Sequence, residues 1–196
     1  LDTDGRLWTT GYNNHGQLGL GNNKNKKTFT RVDDSDIGRG VKDVDCGMGH
    51  TVIVDSQDNL RVTGNNEYGE LGLGNKKNKN TFTRVNLESN IKVNKIACGS
   101  KYTIIQTNNN NVYVTGKNRE GELGLGDTAD RNKFTINNNL SENDIIVNKI
   151  SCGFQHTIIS YNIHKVVATG KNDKGQLGLG NNKNKNTFTR VIIDAD

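Results

Sequence analysis

The sequence predicts an all-β fold, a β-propeller of four-stranded antiparallel blades with about four blades in the chain. Three observations predict it. The stretch Gly16-Gln17-Leu18-Gly19-Leu20-Gly21 returns at Gly69, Gly121 and Gly175, with offsets of 53, 52 and 54 residues. A second marker, Cys46-Gly47, returns in phase as Cys98-Gly99 and Cys152-Gly153. Each unit of ~50 residues holds four short β-branched or apolar runs joined by glycine-rich turns, with no helical period of useful length.

Taken in order, Asp2-Thr3-Asp4-Gly5 reads as a turn that feeds a strand over Arg6–Thr10. An EF-hand calcium loop starting at Asp2 would need Gly and Glu where Leu7 and Asn13 stand, so the turn reading holds. The first glycine motif and a Lys/Asn loop lead to a strand over Thr28–Val32, which completes a partial repeat of about 1–40. The second repeat, 41–92, is complete: Val41, Val44 and Cys46, then His50–Val54, Leu60–Gly64 and Phe82–Val85. The third, 93–146, carries Ile96–Cys98, Tyr102–Ile105 and Val112–Gly116, and its loop after the motif replaces lysines with Asp127, Asp130 and Arg131. The fourth, 147–196, ends in Thr187-Phe188-Thr189-Arg190-Val191. All four form a single propeller-repeat domain spanning 1–196.

Composition narrows the function classes. Only 31% of residues are hydrophobic and the mean hydropathy is −0.75, yet the apolar residues recur at fixed positions, which argues for order. Asparagine suits turns, and its abundance beside lysine also fits an AT-rich coding genome. The net charge of +5 permits an acidic partner without demanding nucleic acid. No apolar run approaches the ~20 residues of a membrane span, so no membrane role is expected. The three cysteines share one repeat position, which does not suit a disulfide framework and points to reduced thiols in the cytoplasm or nucleus. The sequon Asn139-Leu140-Ser141 carries no meaning for an intracellular protein.

The unit Cys-Gly-x-x-His-Thr, a strand, then Val-Tyr-x-x-Gly-x-Asn-x-x-Gly-Glu/Gln-Leu-Gly resembles the repeat of the regulator of chromosome condensation family. Cys152–Thr157 and Val112–Asn118 carry the resemblance most closely, and it covers essentially the whole chain. It implies a seven-bladed ring. Thr10, Thr63, Thr115 and Thr169 stand where the family often has Trp, and the usual proline before the last strand is absent. Seven blades at this period need on the order of 370 residues. The chain is therefore expected to be a fragment of a longer protein, or to draw its missing blades from another chain.

The resemblance also implies a protein–protein interaction scaffold that binds through blade loops. Its narrower form is a guanine-nucleotide exchange factor for a Ran-like small GTPase, and a structural role completing a ring with another chain is the third alternative. Chromatin or nucleic acid is a weaker expectation, since Ile193-Asp194-Ala195-Asp196 is an acidic rather than basic tail.

The residues themselves point to no enzyme. None of the four histidines has a nucleophile and orienter in a repeated pattern, so no catalytic residue is assigned. Cys46 with His50 and Cys152 with His156 have a metal-like spacing, but they sit in different repeats and Tyr102 replaces the middle histidine. Cys46, Cys98 and Cys152 are read as core thiols, and His50 and His156 as structural imidazoles bonded to backbone. The glycine motif, ending at Gly21, Gly74, Gly126 and Gly180, lacks a following Gly-Lys-Ser/Thr and precedes no helix, so it is a turn. No cofactor, nucleotide or metal is expected. Lys24, Lys26, Lys27, Lys76, Lys77, Lys79, Lys183 and Lys185 occupy one loop position in three repeats. They either form a basic arc for an acidic protein or phosphate backbone, or are simply solvated.

Overall fold

The computed structural model describes residues 1–33, 37, 40–88, 90–140 and 145–193. Ser141 of the sequon and the acidic residues 194–196 lie outside them. Among the described residues the chain forms fourteen strands and a single 3-10 turn at Asn138–Leu140. No helix among them is long and apolar enough to cross a membrane.

The strands make one two-stranded and three four-stranded antiparallel sheets, each a simple meander. The first sheet pairs β1 (Trp8–Gly11) with β2 (Lys26–Arg31). The second runs β3 (Val41–Cys46), β4 (His50–Asp55), β5 (Leu60–Gly64) and β6 (Lys79–Arg84). The third runs β7 (Val93–Cys98), β8 (Tyr102–Thr107), β9 (Val112–Gly116) and β10 (Arg131–Ile136). The fourth runs β11 (Val147–Cys152), β12 (His156–Tyr161), β13 (Lys165–Gly170) and β14 (Lys185–Val191).

The apolar residues sit between the sheets rather than inside one. β4 is buried along its whole length because its alternation serves two neighbours. Ile53 packs with Leu7, Val32 and Phe82 against the first sheet, while Val52 and Val54 pack with Ile105 against the third. β8 repeats the device, with Ile105 on one side and Ile104 joining Ile159 and Val167 on the other. A strand period of two, buried on both faces, is what blades stacked face to face require. The first strands of successive sheets lie side by side, and the Cys98 N–H donates to Asp45 Oδ2 at 2.7 Å.

Strand edges differ from expectation in one consistent way. The last strands of the first, second and fourth repeats start earlier than predicted, at Lys26, Lys79 and Lys185, because these residues pair with Gly11, Gly64 and Gly170 across a β-bulge. The bulge breaks the alternating pattern and disguises the strand start as loop.

Candidate functional site

In a meander, the turns between strands one and two and those between strands three and four lie at the same end of every sheet. That end carries both sequence markers. In the first turn, the glycine after each cysteine is dictated by close approach. A Cβ on Gly47, Gly99 or Gly153 would stand 2.1, 1.8 or 2.2 Å from the ring of His50, Tyr102 or His156.

Those rings tie one sheet to the next. His50 is fully buried, and its Nε2 lies 3.0 Å from Thr103 Oγ1 of the following sheet. Tyr102 donates its hydroxyl to the carbonyl of His156 at 2.6 Å. The partner of His50 is thus a neighbouring hydroxyl, not backbone as expected, because the ring points across the seam. Burial lowers the His50 pKa to about 4, and it lowers that of the half-buried His156 as well.

The cysteines diverge. Cys98 is buried and Cys152 half-buried, and burial pushes both thiols up, Cys152 to about 12. Cys46 is exposed, which corrects its assignment as a core residue. Among the described residues its strand β3 has no first strand of an earlier sheet beside it, since the first sheet there comprises β1 and β2.

The turn between strands three and four is held by an asparagine that composition had disguised. Asn66 is fully buried, and its Oδ1 accepts from the Leu71 N–H at 3.0 Å. Its Nδ2 donates to the carbonyls of Asn75 and Lys77, and its N–H donates to Asn78 Oδ1. Asn13, Asn118 and Asn172 do the same work, with Asp130 replacing the outer asparagine in the third repeat. Four bonds per residue, three from the side chain and one from the backbone N–H, fold the glycine motif and the lysine loop onto each other. Of the eight lysines, only Lys24, Lys76, Lys77 and Lys183 lie in these loops, all exposed; Lys26, Lys27, Lys79 and Lys185 belong to β2, β6 and β14.

The glycine motif then docks on the next sheet. Leu20, Leu73 and Leu125 bridge Thr81, Lys133 and Thr187 of the following fourth strands. Thr63, Thr115 and Thr169, standing where the family often has Trp, donate to the carbonyls of Gly16, Gly69 and Gly121. The motif is therefore the seam between blades, not a phosphate cradle.

Missed by sequence reasoning is a cluster at this end of the second and third sheets. Tyr68 carries three cations around its ring: Lys101 Nζ 4.5 Å from the centroid, Arg119 Cζ at 5.4 Å and Lys117 Nζ at 5.9 Å. Beside it Tyr12, His15, Met48 and Asn65 line a concavity of 220 Å³. Tyr12, Met48 and Phe154, all at this end, are 54%, 60% and 65% exposed.

Sheets stacked through repeated turns of this design have a match among known families. The regulator of chromosome condensation (RCC1) repeat model matches residues 4–54, 62–106 and 109–160, and a second model of the same description matches 41–70, 93–122 and 147–176. The chain belongs to the RCC1-repeat family. It is 37% identical over 149 residues to the human X-linked retinitis pigmentosa GTPase regulator, covering 76% of this chain and 14% of that protein. It is 30% identical over 189 residues to the ultraviolet-B receptor UVR8 of Arabidopsis thaliana, covering 96% of this chain and 42% of the receptor. A bovine secretion-regulating guanine nucleotide exchange factor is 33% identical over 125 residues, 64% of this chain and 27% of its own length. Among solved structures, human WBSCR16 superposes with a TM-score of 0.87 at 25% identity, over 98% of this chain and 50% of that one. Prp20p of Saccharomyces cerevisiae, with a TM-score of 0.80 at 18% identity over 96% of this chain and 46% of its own, shares the propeller fold. The chain spans half or less of the length of each of these RCC1-like proteins.

Proposed function

We propose that the chain is a protein-interaction propeller that binds a partner through the end of the sheets bearing the two sets of turns. One observation carries this: Tyr12, Met48 and Phe154 stand exposed on the turns of three sheets at that end, which also carries the three cations around Tyr68. Aromatic, Met and Arg side chains presented on rigid turns are what protein interfaces draw on. No covalent chemistry is assigned to it. The reading places the protein in the cytoplasm or nucleus, where its free thiols stay reduced.

The partner class best supported is a small GTPase, on the printed names of a GTPase regulator and a guanine nucleotide exchange factor among its relatives. Exchange needs only that the propeller bind the nucleotide-free GTPase more tightly than the loaded one. Immobilised chain, offered GTPases stripped of or loaded with nucleotide, should capture one stripped GTPase and release it when nucleotide is added. Equal capture of both forms, or none, overturns the exchange reading.

A second reading, assembly with another chain, rests on the outer edges. Phe29 is 71% exposed on β2, the last strand of the first sheet, and the Gly175–Gly180 turn has no sheet against it among the described residues. Inside the chain such pieces dock on each other. Sedimentation of the chain should then show a dimer that Phe29→Ser dissociates; a monomer at every concentration removes this reading.

A further inference from the structure

We propose that the junction of the second and third sheets is a receptor for an acidic segment of a partner protein, with Tyr68 as its apolar floor and Lys101, Lys117 and Arg119 as its carboxylate contacts. The inference rests on the protein-binding reading above and names the chemistry of the partner.

The cluster is built from two sheets. Tyr68 sits in the turn after β5, where its N–H donates to Glu70 Oε2 at 2.7 Å, and that bond holds the turn closed with the ring at the surface. Lys101 comes from the turn between β7 and β8, and Lys117 and Arg119 from the turn after β9. The repeat places His15, Glu120 and Lys174 where Tyr68 stands, and among the described residues Tyr68 is the ring that gathers three cations.

At the surface of the junction the three cations face two carboxylates, Glu67 and Glu120. Glu67 pairs with Lys101 at 3.3 Å, and Glu120 accepts from the Asn184 amide rather than from a cation. Glu70 and Glu122 are buried beneath, where the charges of Lys101 and Lys117 act on them without a direct ion pair. Lys117 and Arg119 have no ion pair among the described residues. The π-face attracts all three cations, but it does not remove their mutual repulsion. An incoming carboxylate does. The Arg119 guanidinium offers it a planar fork, and Lys101 and Lys117 offer point charges.

The adjoining concavity adds an apolar requirement. Met48 and Tyr12 line it together with Glu67 and Glu70, so the part of the segment that enters it carries an apolar side chain and no acid, and the acids lie over the cations beside it. A duplex nucleic acid suits the site less well, because it needs a stripe of phosphate contacts rather than one compact cluster.

The test uses the full chain and a short fluorescent peptide of Asp and Glu flanking one Leu, followed by anisotropy. Binding should weaken with salt and weaken roughly tenfold or more in Arg119→Glu or Lys117→Glu. Tyr68→Ala should also weaken it, while Tyr68→Phe, which keeps the π-face, should not. The double variant Lys76→Glu, Lys77→Glu has the same charge change outside the cluster and should bind as the parent does. Arg119, Lys76 and Lys77 are exposed and Tyr68 and Lys117 half-buried, and a thermal melt of each variant establishes that it is folded. Equal binding by all variants overturns the proposal. So does a DNA duplex that binds more tightly than the peptide through the same cations. If a GTPase is captured by a chain to which the peptide does not bind, the receptor proposal falls and the protein-binding reading stands. Peptide binding lost in Arg119→Glu, with no GTPase captured, supports the receptor and removes only the exchange reading.

Discussion

The inner seams of this molecule and its outer edges are made of the same sequence, and they behave as different materials. Residues 16–26 and 175–185 are identical letter for letter. At the inner seam a Cβ on Gly16 would meet Asn80 Cα at 2.5 Å, whereas at the edge Gly175 has no closer neighbour than Asn182 Oδ1 at 3.6 Å. Phe82, in the seam, is 4% exposed; Phe29, its repeat counterpart, is largely in solvent. Burial in this fold is therefore a property of the junction between sheets, not of the residue or its sheet. Each blade supplies a half-surface, and only a neighbour makes it core.

The largest way to break that comparison is to empty the seam. Phe82→Ala should cost about 3–5 kcal/mol in urea unfolding, and Phe29→Ala should stay within ~0.5 kcal/mol. Similar losses at the two sites would mean that the edge is covered in solution.

Acid should separate the seams from one another. His50 is held neutral in the second seam down to about pH 4, whereas the unfolded chain takes up its proton near the ordinary value of 6.5. A lowered folded pKa means that the stability is present above 6.5 and is lost as pH falls from there toward 4, by up to about 3 kcal/mol. His156 adds a smaller loss of the same sign. Tyr102, its counterpart in the next seam, does not titrate in this window. His50→Gln, which keeps a donor toward Thr103, should flatten the stability profile between those pH values. A profile unchanged by His50→Gln would place the acid sensitivity elsewhere.

A finer cut compares Gly72 with Gly178. Their φ angles are 65° and 66°, so any L-residue meets the same backbone cost of about 1–2 kcal/mol at both. Only Gly72 has a ring above it, Phe134 Cδ2 at 2.4 Å from an added Cβ, against Val191 Cγ1 at 3.6 Å for Gly178. Gly72→Ala should thus exceed Gly178→Ala by about 1–3 kcal/mol, the overpacking alone. Equal effects would make the motif a backbone requirement and nothing more.

The contrast between seam and edge also explains what could be read without a structure. Strand order, sheet size and the seam's position follow from the in-phase markers, since a repeated turn needs a repeated environment. The buried role of Asn66 was legible too: Asn13, Asn66, Asn118 and Asn172 each stand five residues before the first Leu of the motif. The abundance of asparagine in the loops hid that fixed offset. Lys79 reads as loop in the sequence because a bulge interrupts the alternation just where it pairs with Gly64. The exposure of Cys46 depends on a neighbouring strand, which a single repeat does not encode. The Tyr68 cluster was illegible for the same reason, because its ring and its cations belong to different repeats and meet only across a seam.

The smallest effect sharpens the comparison with a single atom exchange. Glu70 and Glu122 stand in the seams where Gln17 and Gln176 stand in the first and last repeats. Glu122 is fully buried, its carbonyl accepts from Thr157 across the seam, and its Oε1 has no hydrogen-bond partner. Burial raises the pKa of both acids, so at neutral pH the folded state carries an ionised carboxylate at a cost. Glu122→Gln removes that charge and should stabilise the chain by on the order of 1 kcal/mol at neutral pH. As pH falls through the folded pKa the parent takes up its proton, and the gain should shrink toward zero. Gln176 donates to Asp173 Oδ1 at 3.2 Å, so the reverse change at the edge, Gln176→Glu, is made together with Asp173→Asn to avoid a carboxylate pair, and in that background it should be nearly neutral because the side chain is only half-buried. If Gln176→Glu proves as costly as Glu122→Gln is favourable, the turn itself penalises a carboxylate, and the seam contributes nothing to the difference.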